Sequence, residues 1–147
     1  MKRLLGILML VLLSTTAVGC VGTQASSPDI AQLKKKAAAG NADAQTSLGV
    51  AYALGEGVPE DKAEAVKWYR LAAAQGNAGA QAILGVAYRN GDGVPQDYIQ
   101  AYKWYNLAAA SGDNDANGAK LGLAKTMTKE QIAEAQKLST AFKPTTP

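Results

Sequence analysis

Residues 55–69 read GEGVPEDKAEAVKWY, and the stretch returns at residues 91–105 as GDGVPQDYIQAYKWY. Glycines and acids ahead of a helical run could form a phosphate-binding loop, a metal-binding loop or a structural turn. The glycines permit backbone angles that other residues resist, and Asp61 or Asp97 can cap the helix that follows. The stretch therefore predicts a turn between two helices, and it occurs twice.

The repeated unit is larger than this stretch. Residues 40–75 match residues 76–111 at 23 of 36 positions. Self-similarity at this period indicates stacked repeats of a solenoid. Each copy predicts a first helix after Asn41 or Asn77 and a second helix after Asp61 or Asp97. These are called helix A and helix B of each repeat.

Apolar residues at helical spacing predict the buried face of each helix. For helix A they are Ala44, Leu48, Ala51 and Tyr52, matched by Ala80, Leu84, Ala87 and Tyr88; for helix B they are Ala65, Trp68, Leu71 and Ala72, matched by Ala101, Trp104, Leu107 and Ala108. Gly49 and Gly85 lie inside helix A, where glycine costs about 1 kcal/mol relative to alanine. Their recurrence predicts that a neighbouring helix approaches closely there.

Three helix starts carry the residues of a capping box, in which two residues exchange side-chain and backbone hydrogen bonds. The pairs are Asp61 with Glu64, Asp97 with Gln100, and Thr128 with Gln131. The last pair predicts a C-terminal helix that reaches about Phe142, with Ile132, Ala135 and Leu138 inward. Before the repeats, residues 29–39 predict a short helix with Ile30, Leu33 and Ala37 inward.

Between the second copy and the last helix the pattern decays. Strict spacing puts Lys120 where the copies have leucine, and Leu121-Gly122 restores a leucine-glycine pair only with a one-residue slip. End repeats of a solenoid are expected to be atypical, because their outer face meets water. Residues 112–143 are therefore expected to form a degenerate C-terminal cap, and residues 144–147 a flexible end.

The pattern A-x-x-x-L-G-x-x-Y-x-x-G-x-G-V-x-x-D-x-x-x-A-x-x-W-Y-x-x-A-A resembles the Sel1-like repeat, a relative of the tetratricopeptide repeats. The resemblance covers residues 40–111 firmly and about 30–142 loosely. It implies an all-α fold, a short right-handed α-solenoid of antiparallel helix pairs, with a repeat domain at residues 29–143. Such folds commonly offer a concave face, lined by the A helices, to a protein or peptide.

The N-terminus has the anatomy of a secretory signal peptide at residues 1–19. A basic start, Lys2-Arg3, precedes the apolar run Leu4–Leu13, which is too short to span a bilayer. Residues 16–20, TAVGC, resemble a bacterial lipobox, which implies cleavage after Gly19 and attachment of lipid, such as palmitate, at Cys20. Residues 20–28 then form a tether. Gly22, where aspartate tends to retain lipoproteins at the inner membrane, favours the outer membrane facing the periplasm.

Composition excludes several classes of function. Without Lys2 and Arg3 the chain has 13 basic and 12 acidic side chains, which does not favour nucleic-acid binding. The basic run at residues 34–36 is interpreted as a solvated helix face, with anionic lipid headgroups as the alternative. The chain has no histidine and one cysteine, so no Ser-His-Asp set, usual zinc site or thiol nucleophile is expected. No catalytic residue, metal or cofactor is predicted.

A binding surface is the remaining prediction. Helix A positions outside the core stripe should face the groove: Asp43, Thr46, Val50 and Ala53 in the first copy, and Gly79, Ala82, Val86 and Arg89 in the second. Arg89 is the polar contact best suited to clamp a carboxylate. The alternative is that these positions are merely solvated.

Three hypotheses on function remain open. The first is a membrane-anchored scaffold or adaptor of the cell envelope that binds a protein or peptide, which includes an immunity or regulatory protein that neutralises a periplasmic partner. The second is an envelope enzyme acting on β-lactams or peptidoglycan, for which no nucleophile or acid pair is found. The third is a structural spacer, for which two full repeats are short. The first is preferred.

Overall fold

The computed structural model describes residues 29–145, which form seven α-helices and no strand. The helices are α1 (Ile30–Ala38), α2 (Ala42–Leu54), α3 (Lys62–Ala74), α4 (Ala78–Asn90), α5 (Tyr98–Ala110), α6 (Asn114–Ala124) and α7 (Lys129–Thr140). Each of α2 and α4 is a helix A that packs on its own helix B, α3 or α5. The fold is an all-α repeat fold, as predicted. The signal peptide, Cys20 and the tether lie outside the described residues.

The predicted helix caps form, but two of the three capping boxes do not. Asp61 and Asp97 accept hydrogen bonds from the first turns of α3 and α5. Their own N–H groups donate to the carbonyl oxygens of Tyr52 and Tyr88, at 2.8 and 2.9 Å. The second hydrogen bond of each box, from the aspartate N–H to the side chain of Glu64 or Gln100, is therefore absent. That N–H already donates to helix A. The box at Thr128 forms completely.

The stretch at residues 55–69 is a structural turn. Gly55 ends α2 in the left-handed conformation with φ of 70°, and Gly57 has φ of 72°. Gly91 and Gly93 repeat these angles after α4. Val58, which belongs to the first of these turns, has a buried side chain. The glycines therefore supply the positive φ angles that the turn needs, and the turn allows helix B to run back along helix A.

Gly49 and Gly85 lie against tyrosine rings of helix B. A Cβ atom added at Gly49 would lie 2.5 Å from the Tyr69 ring, and one added at Gly85 would lie 2.5 Å from the Tyr105 ring. Tyr69 is on α3 and Tyr105 on α5, so each glycine faces the helix B of its own repeat. The predicted close approach is confirmed.

The predicted core is correct for most positions and wrong for Leu71. Its side chain is 50% exposed, whereas Tyr69, two residues earlier, is buried. Residues two apart on a helix point about 200° apart, so burying Tyr69 turns Leu71 to solvent. Trp104 is buried, but Trp68 at the same position of the first repeat is only half-buried.

One glutamine side chain in each complete repeat joins that repeat to the helix before it. The amide Nε2 of Gln45 donates to the Ala37 carbonyl at 3.1 Å, and Gln81 donates to the Ala73 carbonyl at 3.2 Å. In addition, Arg70 lies over the Tyr88 ring and donates to its hydroxyl at 2.7 Å. Because α1, the predicted short helix, accepts the first of these bonds and buries Ala37, it caps the N-terminal end of the repeats.

The C-terminal unit keeps the strict 36-residue spacing for helix A. In α6 the buried residues are Ala116 and Leu123, while Leu121 is 57% exposed. The Nζ atom of Lys120 donates to Asn106 of α5 at 3.2 Å. The slipped leucine-glycine pair thus faces outward, and lysine occupies the leucine position.

The chain end folds back onto the repeats. Helix α7 packs on α5, where Asn106 donates to the Ser139 hydroxyl at 2.9 Å. The Phe142 ring then meets Trp104 edge-on at 5.8 Å. The N–H of Thr145 donates to the Ala74 carbonyl at 2.7 Å. The sequence predicted a flexible end from residue 144, and the structure places Thr145 of that end in contact with α3.

Candidate interaction surface

Two adjacent hollows lie beside α4. Hollow 1, of about 240 Å³, lies between α2, α3 and α4; hollow 2, of about 220 Å³, lies between α4, α5 and α6. Ile83 and Val86 of α4 line both hollows and form the ridge between them. We call the two hollows and this ridge the interaction surface.

Four of the predicted groove residues line these hollows. Ala53 and Val86 belong to hollow 1, and Ala82, Val86 and Arg89 belong to hollow 2. Val86 is 38% exposed in spite of its apolar side chain. The structure thus brings together the C-terminal half of α2 with the face of α4 that the repeat pattern selects.

The other predicted residues lie elsewhere. Asp43 accepts a hydrogen bond from Asn77 at 2.9 Å, which links the starts of α2 and α4. The Thr46 hydroxyl donates to the Ala42 carbonyl of its own helix, and Val50 packs against the central core. Gly79 is exposed on the first turn of α4. These positions share the helix face, but they line neither hollow.

Sequence reasoning missed the apolar residues that give the hollows their character. Leu54 is 62% exposed at the edge of hollow 1, and Ile83 lines both hollows. Their equivalents in the other copy are Asn90 and Ser47, so the repeat gave them no weight. The signal that could have found them is an apolar residue in one copy where the other copy is polar.

The charged groups of hollow 1 neutralise one another. The Nζ atom of Lys62 lies 3.2 Å from Asp92 Oδ1, and both side chains are about half exposed. The hydrogen bond from Lys62, with a second from Asn90, holds the pKa of the Asp92 carboxyl below its ordinary value. Hollow 1 is therefore an apolar site with a closed ion pair at its edge.

Hollow 2 is lined by charged side chains that form no ion pair within residues 29–145. Arg89 lies on the α4 side, and its Nε donates to Asn90 at 3.2 Å. Asp113 and Asp115 lie on the α6 side, where Asp113 caps the helix by accepting from the Ala116 N–H at 2.8 Å. Among residues 29–145, neither Arg89 nor Asp115 takes part in an ion pair.

Tyr105 is one of the residues that line hollow 2. The residue is 1% exposed, and its hydroxyl is buried with no hydrogen-bond partner among the described residues. Burial raises the pKa of the phenol, and the Arg89 guanidinium partly opposes that rise. The phenol therefore stays protonated at neutral pH, and its hydroxyl is a buried donor without a partner among the described residues.

The described residues contain no group of three or more histidine, cysteine, aspartate or glutamate side chains placed to hold a metal ion. None of their helices is both long and apolar enough to cross a bilayer.

Comparison with known proteins identifies the repeat. The family model described as "Sel1 repeat" matches residues 42–77 and 78–113. A similar solved structure is a protective antigen present in uropathogenic Escherichia coli strains, which displays an SLR fold. It has 36% identity and a TM-score of 0.74, over 77% of this chain and 24% of that one. A search of curated proteins gave no match.

A second similar structure is a Sel1 repeat protein from Oxalobacter formigenes, with 40% identity and a TM-score of 0.60. It covers 62% of this chain and 37% of that one. The chain thus spans about a quarter and somewhat more than a third of the two solved relatives. Sel1 repeats generally serve protein–protein interaction, and proteins that carry them are typically non-enzymatic scaffolds. With two matched repeats and the corresponding fold, this chain is a Sel1-repeat protein.

Proposed function

We propose that this protein is a membrane-anchored interaction scaffold of the cell envelope that binds a protein or peptide on the interaction surface. The observation that carries the proposal is the pair of apolar hollows that share Ile83 and Val86. Two neighbouring hollows can each accept one side chain of the same partner segment. Simultaneous contact at both gives specificity that one hollow cannot give.

The walls of the hollows favour this role because they belong to the folded core. Ala65, Val66 and Tyr69 are buried and line hollow 1 from the α3 side. A partner therefore meets a surface that is already ordered, so little conformational entropy is lost on the protein side. Leu54 and Val86 remain exposed in the free protein and gain burial when a partner binds.

A photoreactive residue at position 86 tests the proposal in cells. The matched control has the same residue at position 71, because Leu71 is also an exposed apolar residue, but on helix B. We expect a specific cross-linked protein or peptide from position 86 and not from position 71. The same products from both positions, or none from position 86 across several growth conditions, would contradict the proposal.

Anchoring through Cys20 is the second part of the proposal, and it is supported by the lipobox-like residues 16–20. Cys20→Ala removes the thiol that the lipid would occupy. Stable anchoring needs more than one acyl chain, and the variant has no residue at position 20 to carry them. We therefore expect this variant to leave the membrane fraction. Membrane association that is unchanged in the variant would refute the anchor and leave the binding surface unaffected.

A further inference from the structure

The end of the chain occupies a site that the repeat pattern provides twice. We call residues 142–145 the strap. The Phe142 ring of the strap meets the Trp104 ring edge-on at 5.8 Å, and the Thr145 N–H donates to the Ala74 carbonyl at 2.7 Å. The strap therefore bridges the helix B of the second complete repeat, α5, and the end of the preceding helix B, α3.

The first complete repeat contains an equivalent site. A shift of 36 residues converts Trp104 into Trp68 and Ala74 into Ala38. The ends of α1 and α3 have equivalent backbone hydrogen bonds, and in both the carbonyl of the last helical residue takes no part in the cap. The Ala38 carbonyl accepts no backbone hydrogen bond among the described residues. A donor like that of the strap is therefore missing at this helix end.

Exposure shows that the strap covers one of the two sites. Trp104 is 8% exposed beneath the strap, whereas Trp68 is only half-buried. Leu107 packs against the central core together with Phe142, whereas its equivalent, Leu71, is 50% exposed. Leu71 lies one turn after Trp68 on α3, so the two side chains are neighbours. We call Trp68, Leu71 and the nearby Ala38 carbonyl the twin site.

From this pairing we infer that the twin site docks an extended segment of a partner protein, and that this segment resembles the strap. The occupied site supplies the chemistry: an aromatic ring over the tryptophan, and a backbone N–H three residues later for the carbonyl at the helix end. Pro144 lies between them, 3.7 Å from the place that a Cβ atom of Gly76 would take. The segment therefore has an aromatic residue and, two positions later, a proline.

One charge distinguishes the twin site from the site that the strap occupies. Lys35 lies in the last turn of α1, one turn before Ala38, where α3 has Leu71. Its side chain is exposed and takes part in no ion pair within residues 29–145. A carboxylate at the position of Thr145 would lie near this ammonium group. Charge complementarity therefore favours a partner segment with an acid directly after the proline, which the strap does not have.

The twin site is separate from the interaction surface. Tyr69 of α3 lines hollow 1, and Leu71 points about 200° away from it around the helix. One short segment cannot contact both sides of α3. Docking at the twin site therefore goes beyond the proposed function. A photoreactive residue at position 71 should give a product of its own, different from the product at position 86.

The test uses the sequence of the strap as a free peptide. A fluorescent peptide of residues 139–147 is titrated with the full chain, and fluorescence polarisation gives Kd. Two further peptides carry Phe142→Ala or Thr145→Asp. The protein variants are Leu71→Asp and Lys35→Gln at the twin site, with Leu121→Asp and Val86→Asp as controls that place the same charge at exposed apolar positions elsewhere.

We expect the natural peptide to bind, and the Phe142→Ala peptide to bind about tenfold more weakly, because the aromatic anchor is lost. Leu71→Asp should weaken binding of the natural peptide to a similar degree, whereas the two control variants should not. The Thr145→Asp peptide should bind about threefold more tightly than the natural one, as for an exposed ion pair. Lys35→Gln should remove that gain.

Three results would overturn the inference. Binding that survives Leu71→Asp, or no binding of any peptide, would refute the twin site and leave the proposed function unaffected. Binding that only Val86→Asp abolishes would place the peptide on the interaction surface, which supports the proposed function and refutes the twin site. Self-association of the natural chain that both Leu71→Asp and Phe142→Ala abolish would assign the site to the strap of a second copy and refute a separate partner.

Discussion

The two complete repeats and the C-terminal unit begin alike and end differently. All three place an alanine, namely Ala44, Ala80 and Ala116, at the same buried position of helix A. The complete repeats then have a glycine that accepts a tyrosine ring from helix B. The C-terminal unit has Leu121 at that position, and no turn of the GxGV type follows.

The difference shows what makes a unit a repeat in this protein. With a leucine in place of the glycine, a helix B cannot approach α6 as α3 approaches α2. The next helix, α7, packs instead on α5, and Phe142 covers Trp104. A glycine and a turn therefore decide whether the solenoid continues or closes.

The largest expected effect concerns the two tryptophans. Trp104→Ala should destabilise the protein by about 3–5 kcal/mol, because a buried side chain is replaced by a cavity. Trp68→Ala should cost clearly less, since Trp68 is only half-buried and lacks a partner like Phe142. Urea unfolding followed by circular dichroism compares the two free energies. Equal losses would show that the C-terminal cap adds nothing at Trp104.

The second-largest effect is expected at glycines that lie inside helices α4 and α6. Gly85→Ala should destabilise by about 1–3 kcal/mol, because the new methyl group collides with the Tyr105 ring. The matched change Gly122→Ala meets no atom within 4 Å, and it should stabilise by up to about 1 kcal/mol through helix propensity. The same unfolding measurement suffices. If both variants changed stability in the same direction, the contrast between repeat and cap would fail.

A smaller effect of opposite sign is expected at Tyr105. Tyr105→Phe removes an unsatisfied hydroxyl from the core, and it should stabilise the free protein by about 1 kcal/mol. Tyr69→Phe is the control, because the Tyr69 hydroxyl is not among the fully buried unpaired groups. Thermal unfolding of both variants gives the comparison. A loss of stability in Tyr105→Phe would show that the hydroxyl has a partner in solution.

The smallest effect belongs to the ion pair that joins the two repeats. Lys62 lowers the pKa of Asp92 below its ordinary value of 3.8. The stabilisation is therefore fully present above that value, and it is lost as pH falls through the pKa of the folded state. Lys62→Met should slightly reduce this acid dependence of stability, because exposed pairs contribute little. Chemical unfolding at several acidic pH values gives the free energy of unfolding as a function of pH for both proteins. The same pH dependence in Lys62→Met and in the natural protein would show that the ion pair does not contribute to stability.

The sequence predicted the parts of the fold that occur twice. Asn41 with Asn77 and Gly49 with Gly85 each recur, so chance similarity could be set aside. Leu71 also recurs, as Leu107, although its side chain is half exposed. Its spacing from Trp68 predicts burial, but the spacing could not show that Tyr69 is the residue that faces the core. Recurrence therefore marks positions that matter without saying how each is used.

The interaction surface was predictable only in part, for a related reason. Ala82, Val86 and Arg89 follow from the face of one helix, and periodicity finds such faces. The remaining wall of hollow 2 comes from α5 and α6, including Tyr105 and Ala119. Which of their atoms meet depends on the distance between successive units, and no pattern within one helix encodes that distance.

The hydrogen bond from Thr145 to Ala74 has a mechanical consequence. It connects the last described residues to the first complete repeat, across the second. In an open solenoid each unit contacts only its neighbours, so units can unravel one after another from an end. Here a pull on the C-terminus must first peel the strap formed by residues 142–145 from two successive units. Because the strap contacts both complete repeats, we expect it to reduce independent fraying of the two units.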